Sequence, residues 1–151
     1  MVLYLIIIAG LIGVDQLTKI IVMNQMTLRQ SIEIIPNFFY LTFVKNPGAA
    51  WGKMADQMGF FYLITIFAVG MFSYFLIKEG DIHNKKLFTI SLLMVIGGAI
   101  GNLIDRILYQ EVVDFIHFYI FRYSFPVFNF ADIFLTLGTI GFGLAILIYG
   151  D

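Results

Sequence analysis

Residues 87–108 read LFTISLLMVIGGAIGNLIDRIL. As a helix this run is long enough to cross a bilayer core, which takes about 20 apolar residues. Its beginning is apolar or small, whereas its last turns carry Asn102, Asp105 and Arg106, which share one helix face. Aspartate or arginine at the centre of a membrane helix costs roughly 2.5–3.5 kcal/mol, so these residues need a reason. Gly97 and Gly101 stand in G-x-x-x-G spacing, which lets a second helix come close. The stretch reads as a tightly packed membrane helix with a polar end.

Three further stretches have the same character: Val2 to Met23, interrupted by Asp15 and Lys19; Gly59 to Ile77; and Phe130 to Tyr149. The chain of 151 residues is 60% hydrophobic and 13% charged, with a mean hydropathy of +0.92. Soluble domains run about 45–50% apolar and about 25% charged. One integral-membrane domain of four transmembrane helices, spanning residues 1–151, is therefore expected. The first helix has no basic residues before its apolar run and no A-x-A site after it, so it reads as retained rather than as a cleaved signal peptide. A net charge of −1 gives no reason to expect a nucleic-acid partner. With no cysteine there is no disulfide, thiol nucleophile or cysteine zinc site. The two histidines, His83 and His117, are far apart and form no HExxH pair. No metal and no cofactor is expected.

The connections differ in kind. Residues 24–58 form a long mixed segment, 78–86 a short polar link, and 109–129 an aromatic segment. In an up-and-down bundle the first and third share one face, and the short link lies with the termini. Lys78, Lys85 and Lys86 crowd the short link and favour it as cytoplasmic, although Arg29, Lys45 and Lys53 reduce the asymmetry. Both termini are therefore expected inside and the two larger connections outside. Phe38 to Val44 is rich in strand formers and runs into a turn of small residues from Lys45 to Gly52. A small surface sheet is expected there, with a plain amphipathic interfacial segment as the alternative.

The polar residues of the spans fall toward the face of the larger connections. Asp15 and Lys19 are four apart on the first helix and can pair. Asn129 and Asp132 open the fourth helix, and Asp114 lies in the third connection. Such one-sided polarity suggests a site opening near one leaflet. Each group also has a structural reading: Asp15 with Lys19 as a helix tie, Asp105 with Arg106 as an interfacial anchor, Asp132 as a helix-start acid, Asn46 before Pro47 as a turn residue. Gly138 and Gly141 read as packing positions, and His117, Arg122 and Trp51 as interfacial ones. Ser31, Ser73, Ser91 and Ser124 lack an evident base, although His117 is near Ser124 in sequence. Two carboxylates are the better engine. Held close, they cannot both ionise easily, so one can activate water while the other polarises a carbonyl. Asp114 and Asp132 are the natural pair.

Four blocks of this sequence resemble the lipoprotein signal peptidases: residues 15–19 (DQLTK), 46–52 (NPGAAWG), 97–106 (GGAIGNLIDR), and 112–115 (VVDF) with 125–132 (FPVFNFAD). They occur in the family's order over nearly the whole chain. The resemblance implies four transmembrane helices with a small extracytoplasmic β-cradle and a short surface helix in the third connection. It implies that Asp114 and Asp132 are the catalytic dyad. Asn46, Gly48, Asn102, Asp105, Arg106 and Asn129 would hold substrate backbone or position the dyad, with Asp15 and Lys19 as a supporting pair. The substrate would be a prolipoprotein carrying diacylglycerol on its lipobox cysteine, cut just before that cysteine by a monomer among membrane lipids of a bacterial cytoplasmic membrane. Small residues at Gly48, Ala49 and Ala50 would let an extended substrate approach the surface strand. The alternative reading is a small proton- or ion-coupled transporter, in which intramembrane carboxylates act as relays. Such a protein should carry polar groups through the bilayer depth, often in repeated halves, and neither is evident. A non-enzymatic assembly subunit is a third reading, which would not need both Asp114 and Asp132.

Overall fold

The computed structural model describes residues 1–48, 58–121 and 123–149. In chain order it contains α1 (Val2–Gln25), β1 (Ser31–Ile35), β2 (Phe39–Asn46), α2 (Met58–Glu79), α3 (Lys86–Tyr109), β3 (Val112–Ile120), β4 (Tyr123–Ser124) and α4 (Phe130–Tyr149). The helices cover the four apolar stretches and extend them by at most two residues at either end. All four are long and apolar enough to cross a membrane. Large apolar side chains point away from the bundle, including Leu63 and Phe67 on α2 and Leu147 on α4, at 72%, 72% and 81% exposure. Helices that are apolar all round suit lipid, where their backbone groups are satisfied internally.

The centre of the bundle is α3. It packs against α1, α2 and α4, and its Leu92, Leu93 and Ile96 are buried. Small residues make this closeness possible. A Cβ on Gly98 would lie 2.5 Å from the Ala131 carbonyl oxygen, and one on Gly138 would lie 2.8 Å from that of Ser91. At both contacts backbone of one helix sits against the other, which enlarges the dispersion contact available in lipid. α3 ends at Gln110, whose left-handed backbone (φ 59) lets its N–H cap the Arg106 carbonyl at 3.1 Å. The chain then turns directly into β3.

The strands form one antiparallel sheet in the order β1-β2-β3-β4. The strand-forming run from Phe38 is thus β2 rather than an irregular interfacial segment. The short surface helix expected in the third connection is absent among the described residues, where β3 and β4 occupy that connection instead. Its residues 112–120 (VVDFIHFYI) are largely β-branched and aromatic, and they bury between β2 and the chain leading into α4. Val22 of α1 and Met26, which caps it, join Phe43, Val113, Phe115 and Ile116 in one core, which seats the sheet on the end of the bundle.

Two features fix the sheet's reach. Phe115 and Ile116 donate backbone hydrogen bonds to the Phe128 carbonyl (3.0 and 2.8 Å), so residues before α4 run back along β3. A polar chain also crosses all four strands: Ser31 Oγ to Thr42 Oγ1 at 2.8 Å, Thr42 Oγ1 to His117 Nδ1 at 3.0 Å, and His117 Nε2 to Ser124 Oγ at 2.9 Å. His117 is buried in this chain, and burial lowers its pKa. The other two residues expected at the interface, Trp51 and Arg122, lie outside the described residues, as do Ala49 and Ala50.

Candidate active site

The site rests on a buried ionic triad. Lys19 Nζ lies 2.8 Å from Asp15 Oδ2, one helical turn earlier, and 3.0 Å from Asp105 Oδ2 on α3. All three side chains are at most 1% exposed. Two carboxylates against one ammonium leave a negative surplus, which further donors meet. Asp15 Oδ1 accepts the Ala131 backbone N–H at 2.9 Å, and Asp105 Oδ2 accepts that of Val113 at 2.9 Å. Gln16 Nε2 donates to both acids, at 3.1 Å to Asp15 and 2.9 Å to Asp105. Gly101 is what lets Asp15 in, because a Cβ there would lie 2.7 Å from its Oδ2. Asp105 is therefore an internal tie between α1, α3 and β3, not an interfacial anchor.

Through the Ala131 N–H, Asp15 satisfies one of the free donors at the start of α4. Asn129 and Asp132 satisfy others reciprocally. Asn129 Oδ1 accepts the Asp132 N–H at 2.9 Å, and Asp132 Oδ2 accepts the Asn129 N–H at 3.2 Å. This is a capping box with asparagine and aspartate in its two places. The local motif that starts the helix thereby orients the Asp132 carboxylate.

Asn102 and Asn129 then link the two halves. Asn102 Oδ1 accepts from Lys19 Nζ and from Asn129 Nδ2, both at 3.1 Å, and its Nδ2 donates to Asp132 Oδ1 at 2.8 Å. Asn129 Nδ2 also donates to Asp114 Oδ1 at 2.7 Å, while Asn46 Nδ2 holds Asp114 Oδ2 at 3.0 Å. Asn129 thus touches both Asp114 and Asp132. Asp114 comes from β3, directly opposite Val44 on β2, and is 2% exposed. Burial, and next the neighbouring charge of Asp132, push its pKa up to about 7. A carboxyl pair of this kind keeps a proton near neutral pH.

Two more groups border the dyad. Asn46 Oδ1 accepts the Gly48 N–H at 3.0 Å in a side-chain-closed turn. Gly48 has φ 103, a conformation that favours glycine. Arg106 leans the other way, toward α2. Its Nη1 donates to the Asn102 carbonyl at 3.2 Å, and its guanidinium lies 5.1 Å from the Phe61 ring centre. Asp132 also forms one wall of a cavity of about 320 Å³ otherwise lined by Phe125, Phe128, Ile133, Thr136 and Leu137.

All ten residues singled out in the sequence, Asp15, Lys19, Asn46, Gly48, Asn102, Asp105, Arg106, Asp114, Asn129 and Asp132, border this one region. Sequence reasoning missed Gln16, which follows Asp15 but reaches between the helices, and Phe61 and Tyr62, which look like ordinary residues of an apolar span. Tyr62 Oη donates to the Arg106 carbonyl at 2.8 Å. A serine engine gains nothing here. Ser124 does meet His117, but the other ring nitrogen of His117 meets Thr42 and not a carboxylate.

Comparison with known proteins shows the family. A family profile described as Signal peptidase (SPase) II matches residues 7–148. Lipoprotein signal peptidases of Listeria monocytogenes serotype 4a (strain HCC23) and Listeria innocua serovar 6a (strain ATCC BAA-680 / CLIP 11262) are each 49% identical over 137 residues, covering 91% of this chain and 88% of theirs. Two solved structures described as bacterial membrane enzymes superpose with TM-scores of 0.87 and 0.86, at 39% and 38% identity. They cover 98% and 100% of this chain, and 89% and 95% of their own. The transporter reading finds no support among them. The chain is a membrane peptidase and belongs to the signal peptidase II family.

Proposed function

We propose that this protein removes the signal peptide from diacylglyceryl-modified prolipoproteins, cutting just before the lipidated cysteine with a water activated by Asp114 and Asp132. The observation that carries the reading is the pair itself: Asn129 donates to both carboxylates, from Nδ2 to Asp114 and from its backbone N–H to Asp132, and Asp114 is pushed up to about 7. With one proton shared at neutral pH, the ionised carboxylate takes a proton from water as its oxygen attacks the scissile carbonyl. The protonated partner donates to the carbonyl oxygen. Collapse of the tetrahedral species breaks the C–N bond, and a carboxyl proton passes to the leaving cysteine nitrogen. The pair acts as a unit, so its proton belongs to both residues.

The other groups suit the same task. Arg106 carries N–H donors fit for substrate carbonyls, and Asn46, which already donates to Asp114, borders the dyad from β2. The apolar cavity beside Asp132 suits an acyl chain or an apolar substrate side chain. The lysines of the 78–86 link support a cytoplasmic location for that end, which would put the site at the extracytoplasmic face of a bacterial cytoplasmic membrane.

The test is cleavage of a diacylglyceryl-modified prolipoprotein by purified protein in lipid or detergent, with chelator present. Wild type is expected to cut it and to spare the unlipidated form. Asp114→Asn and Asp132→Asn should fold and be inactive. Full activity in either variant, or no cleavage by wild type, would refute the reading.

A further inference from the structure

The proposed reading assigns Arg106 to the substrate backbone but leaves open what aims its guanidinium. Within α3 the head group has one hydrogen bond, from Nη1 to the Asn102 carbonyl at 3.2 Å. Its Nε is buried without a hydrogen-bond partner among the described residues. Among the described residues the ring of Phe61 also meets the head group, with its centre 5.1 Å from the guanidinium carbon.

Stacking on a ring uses the flat face of the guanidinium. The N–H donors lie in its plane and stay available at the edge. An arginine held this way keeps its fork open for carbonyl oxygens, which one locked by a carboxylate would not.

Phe61 has a second contact. A Cβ on Gly48 would lie 2.7 Å from its Cε2, so the ring edge fills the space a side chain at residue 48 would need. Gly48 is tied to Asn46, and Asn46 to Asp114. The ring thus joins the two arms that flank the dyad: the Asn46–Gly48 turn at the end of β2 and Arg106 at the end of α3. The next residue fixes the platform. Tyr62 Oη donates to the Arg106 carbonyl at 2.8 Å and accepts from Gln110 Nε2 at 3.0 Å, pinning the start of α2 to the end of α3.

We infer that Phe61 is a positioning residue of the peptidase: its ring holds the Arg106 guanidinium flat and edge-on to the substrate backbone, and seats the Gly48 turn opposite. The inference rests on the functional reading above. It predicts that the charge distribution of the ring matters, not its bulk alone. A trifluorinated phenylalanine at residue 61 keeps the ring but drains its negative face. Phe61→Leu removes the ring and keeps an apolar side chain.

The experiment measures the Kd of a fluorescent diacylglyceryl lipobox peptide for the full chain in nanodiscs, in the Asp114→Asn background so that no turnover intervenes. Wild type is measured alongside at short times, and thermal unfolding is followed for each form. A cation–π contact of this depth corresponds to about a 2- to 30-fold change in affinity. Both substitutions at Phe61 are expected to weaken binding within that range. Fluorination should not weaken it further when Arg106→Gln is also present, since the ring would then have no guanidinium to hold, whereas Phe61→Leu should keep the part of its loss that comes from the Gly48 turn. Equal losses on fluorination with and without Arg106, or loss with Phe61→Leu but none on fluorination, would overturn the inference while leaving the functional reading intact. No binding by any form, wild type included, would overturn both.

Discussion

Replacing Lys19 by methionine should be the most damaging single change outside the dyad. The ammonium sits 2.8 Å from Asp15 and 3.0 Å from Asp105, with all three side chains essentially inaccessible. Each pair is worth about 5–6 kcal/mol of gross attraction at an effective dielectric constant of about 20. Much of that offsets the cost of burying three charges, so the triad's net contribution is small. Removing one partner is different, because it strands two carboxylates; such changes cost about 3–5 kcal/mol. For a chain of this size that is about 6–20 °C in Tm. The loss should also reach the dyad, because Lys19 holds Asn102 Oδ1 at 3.1 Å and Asn102 holds Asp132. Lys19→Met is therefore expected to lower both Tm and kcat. Adding Asp15→Asn and Asp105→Asn, which removes the stranded charges, should restore about half or more of the lost stability. The assay is thermal unfolding in detergent alongside peptide cleavage. A Lys19→Met protein melting within about 2 °C of wild type would refute the argument, since on this scale its loss would be under about 1 kcal/mol.

Three other expectations can be checked directly. Asp114 holds its proton more tightly than a free aspartate, so the pair should become fully ionised as pH rises through about 7; kcat/KM should then fall about tenfold per pH unit, and a flat profile up to about pH 9 would contradict this. Gly98→Ala places a methyl 2.5 Å from the Ala131 carbonyl oxygen, so it should cost about 1–3 kcal/mol by overpacking and show as a lower Tm. His117→Leu removes two hydrogen bonds, but Thr42 keeps Ser31 and Ser124 is exposed to water, so it should cost about 0.5–1.5 kcal/mol, read from the unfolding curve.

The sequence by itself determined the membrane architecture. The four helices are legible because a membrane span must be apolar over a length set by the bilayer, and 60% hydrophobic composition leaves few other arrangements. It also picked out the polar groups of the candidate site, because such groups in apolar spans are costly enough to stand out one by one. Asp15, Lys19, Asn102 and Asp132 needed no structure to be noticed. What each one does was decided only in three dimensions. Asp105 followed by Arg106 reads as an interfacial anchor, but the bundle buries the acid against Lys19 and sends the arginine to Phe61. Asp114 meets Asn129 because the chain before α4 pairs back along β3 through Phe128, a contact carried by main-chain groups common to every residue. The same pairing turned an expected surface helix into strands. Gln16, Phe61 and Tyr62 gave no sign, since an amide beside an aspartate or an aromatic pair in an oily helix is unremarkable until its neighbours are known. Apolar length and isolated charge are local properties, whereas partnership depends on which backbones come close, and here that is decided by the glycines of α3 and by the sheet seated on its end.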